Sequence, residues 1–294
     1  MSEMKPYNDF TLMFQGPLHK NFIHGLLNNY KTYTDNIVIS HWDTDDIDLL
    51  EYLHEYNIPH KLVTNTFHTE YNIYHNQNVY YQAYTSLRGM REVTTPYVLK
   101  MRTDQWYGNL VPMFEAVRKY PNKYVCANLH FRPESLVKYH GSDKLIGSNT
   151  ADMLKTFEVA EHRVVNNAVA LMAGAYMYTD DRAIITEEEM LNDLAIYSYV
   201  MPNRPLATQY PEKPLLGTIQ IFPSGYIGIS PEMVISTSYL FAKGIYPSPA
   251  KSAEIVKEHF YIVKVEDMTP YVNKDDTSEI EHNSLEIHTI EDYA

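Results

Sequence analysis

Three charged residues at alternate positions, Lys100, Arg102 and Asp104, close an otherwise apolar run, Tyr97-Val98-Leu99-Lys100-Met101-Arg102-Thr103-Asp104. In a strand, alternate side chains fall on one face, so the three charges would share it. An unpaired ion loses much of its hydration when buried, so this face must either pair internally as a ladder or meet a charged ligand. The carboxylate at the strand end could hold a divalent cation, Mn or Mg, across a diphosphate, and the two cations would add positive field. Both readings stand on the residues; the placement of Asp104 at the strand end favours the ligand, because open parallel sheets bind beyond the carboxyl ends of their strands.

The elements around this run alternate. Phe10–Phe14, Asn36–Ser40, His60–Thr64, Tyr97–Asp104 and Tyr124–Leu129 read as strands, and Phe22–Tyr33, Ile47–Tyr56, Val79–Val93 and Leu110–Lys119 as helices between them. Alternation of this kind predicts crossover units and an α/β fold with a mainly parallel sheet. Gln15-Gly16-Pro17 after the first strand, Ser40 after the second and Asn65 after the third would then gather with Asp104 at one edge. Farther on, helices are expected near Ala151–Ala160 and over Glu187–Tyr197, and a hairpin from Leu216–Ile221 and Gly225–Ile229. The acidic stretch Asn273–Ala294 reads as a solvated tail, leaving residues 1–272 as one domain with halves meeting near residue 132.

Composition narrows the function. The 294 residues carry 24 basic and 37 acidic side chains, a formal charge of −13 that argues against nucleic acid as a partner. A single cysteine, Cys126, permits neither an intrachain disulfide nor a cysteine metal cage, and no His-Glu-x-x-His pattern suggests a zinc hydrolase. Neither a secretory signal nor a bilayer-length apolar stretch stands out, so a cytoplasmic protein is expected. Tyrosine is in excess at 26 residues, and its flat body with a polar tip suits stacking on sugars and bases as well as ordinary packing.

The run ending in Asp104, together with Phe14-Gln15-Gly16-Pro17, Ser40-His41-Trp42 and Asn78 and Gln82 leading to Gly89, resembles the WavE-type lipopolysaccharide-synthesis proteins. That family is read as glycosyltransferases with a GT-A-like, Rossmann-related fold, and occurs in bacteria and large DNA viruses. The resemblance is best over the first hundred residues and looser at Ser142-Asp143, Gly147 and Glu188-x-x-Leu191. It implies transfer of a sugar from a nucleoside-diphosphate sugar to a glycan acceptor. The donor would meet Gln15, Gly16, Pro17, Ser40, Trp42, Asp43, Asn78, Gln82, Arg88, Lys100, Arg102, Thr103 and Asp104. Two departures stand out: Asp104 lacks the second carboxylate of an Asp-x-Asp pair, and Tyr81 occupies the place of an arginine, which would shift a phosphate contact to Arg88 or remove it.

Transfer also needs a base for the acceptor hydroxyl if the anomeric centre inverts. Glu188 and Glu189, at the start of a helix, and Asp143, in the polar stretch His140-Gly141-Ser142-Asp143, are the candidates, against a plain capping box for the first two and an Asx-turn for the third. His140 is a candidate further metal ligand. Gly147-Ser148-Asn149-Thr150 could cradle phosphate or merely cap a helix. Two alternatives to a transferase remain: a carbohydrate-binding protein without chemistry, and a sugar nucleotidyltransferase, which should carry a glycine-rich basic loop after the first strand that this sequence lacks.

Overall fold

The computed structural model of the chain describes residues 5–18, 29–45, 48–55, 57–67, 79–129, 131, 139–166, 219–221, 227–229, 231–245, 247, 251–272 and 290. Its strands are β1 (Phe10–Gln15), β2 (Ile37–Trp42), β3 (Lys61–Asn65), β4 (Tyr97–Arg102), β5 (Gln105–Tyr107), β6 (Tyr124–Ala127), β7 (Leu145–Asn149), β8 (Ile219–Ile221), β9 (Ile227–Ile229), β10 (Phe260–Val263) and β11 (Pro270–Val272). The helices are α1 (Asp48–Glu55), α2 (Val79–Met90), α3 (Val111–Lys119), α4 (Thr150–Asn166), α5 (Pro231–Ala242) and α6 (Ser252–His259).

Seven strands form one sheet in the order β10-β6-β7-β4-β1-β2-β3. Every pairing is parallel except those of β7, which runs antiparallel to both β4 and β6. The expected α/β architecture, a mainly parallel sheet flanked by helices, is what the chain adopts. Both faces of the central strands are covered, which is why β1 and β2 read as unbroken buried runs rather than alternating ones. Successive residues of β1 serve opposite layers: Leu12 and Phe14 join Leu99, Met101, Phe114 and Val117 on one face, while Met13 joins Val98, Leu87, Met90, Ile146 and Phe157 on the other. Burial of each such side chain contributes about 1.5–3 kcal/mol.

Chain order reverses direction across the sheet at β1. From β1 the strands β2 and β3 lie on one side, and β4 lies on the other, in register from Phe10↔Tyr97 to Gln15↔Arg102. Such a switch point opens a crevice at the carboxyl ends of the two strands.

Several expectations change. The strand expected over Tyr97–Asp104 stops at Arg102, and Thr103 and Asp104 form a turn into β5, so Asp104 leaves the face shared by Lys100 and Arg102. Gly147, expected in a phosphate cradle or cap, sits inside β7. A Cβ there would lie 2.5 Å from Leu99 and 2.8 Å from Val117, so the residue permits close packing of β7 on β4. Asn149 pairs with Tyr97 at the start of β4, the end of the sheet opposite the crevice, and its Oδ1 accepts the backbone N–H of Asp152 at 2.8 Å. Capping is therefore what this segment does. The β8–β9 hairpin forms as expected. Helices α5 and α6, and strands β7, β10 and β11, had no counterpart in the sequence reading. The expected helix Glu187–Tyr197 lies outside the described residues, as do residues 22–28 of the helix expected over Phe22–Tyr33 and nearly all of the tail; the described end of the former is a single 3-10 turn, Tyr30–Thr32.

Candidate functional site

The crevice at the ends of β1 and β4 is a cleft of about 320 Å³ lined by Gln15, Gly16, Pro17, Trp42, Phe67, Tyr81, Gln82, Thr85, Arg102, Thr103 and Asp104. Its floor is a stitched turn. Thr103 N–H donates to Gln15 O at 3.2 Å, and the Thr103 hydroxyl donates to Pro17 O, so the turn after β1 is tied to the turn after β4. Gly16 makes this possible: its φ of +115° is a conformation that side chains rarely adopt, and a Cβ there would lie 3.1 Å from Thr103 Oγ1. The segment after Asp104 is fixed from two sides. Strand β11 pairs antiparallel with β5, and Tyr107 N–H donates to the hydroxyl of buried Tyr30 at 2.8 Å.

Charge in the cleft comes from one pair. Arg102 grips Asp104 through Nε–Oδ1 at 2.9 Å and Nη2–Oδ2 at 2.5 Å, with side-chain exposures of 29% and 19%. Burial works against the Arg102 charge, but the Asp104 carboxylate, with Asp143 and Glu232 adding to it, more than offsets that and favours the cationic guanidinium. Bidentate pairing fixes the plane of the guanidinium as well as its position.

Below the pair the charges are sealed. Lys100 is fully buried, and its Nζ donates to the backbone carbonyl of Asp143 at 2.7 Å. Burial lowers its pKa to about 7, although Asp143 pulls it the other way. The Asp143 carboxyl is also fully buried; burial pushes it up, yet Lys100, Arg102 and the Gln82 hydrogen bond outweigh that and hold it below its ordinary value. Gln82 Nε2 donates to Asp143 Oδ2 at 2.5 Å, while Asp143 Oδ1 has no partner among the described residues. With no exposed surface, Asp143 cannot meet an acceptor hydroxyl, which removes it as a base and makes it the counter-charge of the layer under the cleft.

One wall is aromatic. Phe67 and Tyr81 stack with centroids 4.7 Å apart, and Trp42 meets both edge-on at 5.3 and 5.4 Å. Phe67 is 38% exposed, so this wall opens to the outside. Neither Phe67 nor Tyr81 was singled out from the sequence as a ligand contact. A weak signal existed: Tyr81 and Gln82 stand four and three residues before Thr85, so each neighbours Thr85 on the surface of α2. The replacement of an expected arginine by Tyr81 therefore adds a ring where a cation was anticipated.

The remaining candidates have other places. Ser40 is buried beside the cleft, donating to Thr85 O at 2.7 Å and accepting from Asn65 Nδ2 at 2.9 Å, which ties β2 to α2. Asp43 is exposed and accepts the backbone N–H of Phe67 at 3.2 Å, so it supports the aromatic wall without lining the cleft. Arg88 is exposed in the last turn of α2 and does not line the cleft, so it takes over no phosphate contact there. His140 does not line the cleft with Asp104; its Nε2 lies 3.8 Å from a carboxylate oxygen of Glu232. Asn78, Glu188 and Glu189 lie outside the described residues. Among the described residues no three His, Cys, Asp or Glu side chains converge as metal ligands. Both oxygens of Asp104 are held by Arg102, so this donor set by itself does not fit a resident Mn or Mg ion.

A model of the family described as WavE lipopolysaccharide synthesis matches residues 12–207. No curated protein sequence matches. Among solved structures, the chain is similar to a 4-diphosphocytidyl-2C-methyl-D-erythritol synthase from Anaerococcus prevotii, at 11% identity and a TM-score of 0.37, over 64% of this chain and 98% of that one. It is similar to a mannosyltransferase from Pyrobaculum calidifontis in complex with GDP-Man and Mn2+, at 10% identity and a TM-score of 0.38, over 87% and 81%. It is also similar to S. aureus TarS, at 13% identity and a TM-score of 0.34, over 52% of this chain and 30% of that chain. No helix among the described residues is long and apolar enough to cross a membrane.

Proposed function

Because the chain belongs to the WavE lipopolysaccharide synthesis family, we propose that it is a glycosyltransferase of GT-A-like fold. It would move a sugar from a nucleoside-diphosphate sugar, bound in the β1–β4 cleft, to a glycan acceptor. The observation that carries this reading is the meeting of a stacked aromatic pair, exposed Phe67 on buried Tyr81, with the Arg102–Asp104 pair in one cleft at the switch point of the sheet. A nucleobase presents a flat face for stacking, and a diphosphate presents charge for a planar guanidinium. The two walls of the cleft match the two ends of such a donor.

In this reading the base stacks on the aromatic wall and the diphosphate lies along Gly16, Pro17 and Thr103 toward Arg102. Breaking the glycosidic bond leaves charge on the departing diphosphate, and Arg102, held in plane by Asp104, is the group positioned to stabilise it. Asp104 marks the end of the cleft at which the sugar projects. A divalent cation would enter with the donor rather than wait in the site. In a transfer that inverts the anomeric centre the acceptor's proton goes to a carboxylate, for which Glu188 and Glu189 are the candidates. The reaction belongs in the cytoplasm.

Calorimetric titration with UDP-glucose, UDP-galactose, UDP-N-acetylglucosamine and GDP-mannose, each with and without manganese, tests the reading. Binding of one donor, weakened by Phe67→Ala, is expected. Stacked aromatics also suit free sugars, so heat from glycans but from no nucleotide sugar would favour a carbohydrate-binding protein instead.

A further inference from the structure

Gln82 is the one amide in the cleft whose orientation is dictated by a buried carboxylate. Its Nε2 donates to Asp143 Oδ2 at 2.5 Å and approaches the Asp143 backbone carbonyl at 3.5 Å. Both partners can only accept: an ionised carboxylate and a backbone carbonyl have no proton to offer. The nitrogen of Gln82 is thereby committed to the interior. Its Oε1 hydrogen-bonds nothing among the described residues and is not one of the solvent-inaccessible atoms left without a partner, while the side chain itself lines the cleft.

The carboxylate that sets this orientation is held charged from below. Lys100 Nζ hydrogen-bonds the carbonyl of the same residue, and the Lys100 and Arg102 charges both favour ionised Asp143. A neutral Asp143 could donate a proton and let the amide turn over, exposing N–H instead of C=O. The layer of Lys100 and Asp143 thus reaches the cleft through the amide it orients.

We infer that Gln82 is a specificity-determining residue that presents a fixed carbonyl acceptor to the cleft, selecting ligands with a neutral O–H or N–H donor at that point. This rests on the donor reading given above. Two donor groups of a nucleoside-diphosphate sugar have the right chemistry, a sugar hydroxyl and an imide N–H of the base. An isostere lacking the donor leaves the carbonyl desolvated and unpaired, a loss of about 1–3 kcal/mol, or roughly 5- to 150-fold in affinity.

The test uses the full chain and the best donor of the panel, for example UDP-glucose. Monodeoxy-monofluoro analogues at each sugar hydroxyl remove donation while keeping size, and N3-methyl-UDP removes the imide donor. Affinities are measured for the wild type, Gln82→Met and Asp143→Asn. The expected result is one analogue that binds the wild type at least about fivefold more weakly than its parent, with that difference abolished in Gln82→Met and reduced in Asp143→Asn. Which analogue it is distinguishes hydroxyl from imide. If Asp143→Asn does not fold, the wild-type and Gln82→Met comparison decides alone. Donor binding in which no analogue loses affinity through Gln82 overturns this inference and leaves the donor reading standing. Failure of every nucleotide sugar to bind the wild type overturns the donor reading, and this inference with it.

Discussion

Arg102 holds both carboxylate oxygens of Asp104 in the wall of the cleft, at 2.9 and 2.5 Å, with both side chains partly exposed. The sequence left two readings of the charged strand, an internal ladder or a ligand seat, and the geometry divides them between residues. Lys100 and Asp143 form the sealed layer; Arg102 and Asp104 line the cleft. Replacing Arg102 with Met should therefore lower kcat/KM for transfer by about 100-fold or more, with the loss mainly in kcat. Steady-state kinetics check this, and a purely structural role would instead show as a lowered unfolding midpoint with unchanged turnover of the folded fraction.

The aromatic wall makes a separable prediction. Stacking of a base is worth about 1–3 kcal/mol per ring, so Phe67→Ala should weaken UDP or GDP binding by roughly 5- to 150-fold. Truncation also removes its ring contacts with Tyr81 and Trp42, but at 38% exposure the unfolding midpoint should fall by less than for a fully buried ring. Phe67→Tyr should restore most of the affinity.

Lys100 and Asp143 predict coupling in stability. At about pH 6, below the folded pKa of Lys100, Lys100→Met leaves a buried carboxylate without its compensating charge and should cost about 3–5 kcal/mol in urea unfolding. Adding Asp143→Asn should recover much of that loss, because it removes the stranded charge. Additive losses would show that the two residues do not act on each other.

The same pair sets a pH dependence. The folded pKa of Lys100, about 7, lies below its ordinary 10.5, so between these values the unfolded chain holds one proton more than the folded one. This contribution to stability therefore rises as pH rises through that window. Asp143 has the opposite sense: its folded value is depressed, so its contribution persists above the ordinary carboxylate range and is lost as pH falls below it. Urea midpoints at about pH 7 and about pH 9.5 should differ in the wild type by more than in Lys100→Met.

Gly16 sits at φ +115° with Thr103 Oγ1 at 3.1 Å from where a Cβ would stand. Gly16→Ala should destabilise the fold by about 1–3 kcal/mol through backbone strain. It should also weaken donor binding, since the turn it disturbs is the floor of the cleft. Thermal melts and titration of the same sample separate the two effects.

What could be read from the residues follows from how much each carries of its own environment. β1, β2 and β4 are apolar runs bounded by turn residues, and they announce a buried parallel sheet. Leu145–Asn149 contains Gly and Ser and pairs antiparallel between β4 and β6, so nothing local marks it as the interior strand β7. Phe260–Val263 is four apolar residues without a period, too short to distinguish strand from helix. In the site, the cationic strand was legible because charge in an apolar run has few explanations. Phe67 and Tyr81 were not, because among 26 tyrosines and 10 phenylalanines only three-dimensional stacking separates a ligand wall from ordinary packing.

The most direct test follows nucleoside-diphosphate release from a panel of nucleotide sugars by the wild type and by Asp104→Ala. The account predicts release from one donor by the wild type and a rate lower by about 100-fold in the variant, measured below the variant's melting transition so that only folded protein is compared. Equal rates, together with equal affinity for the donor, would contradict it.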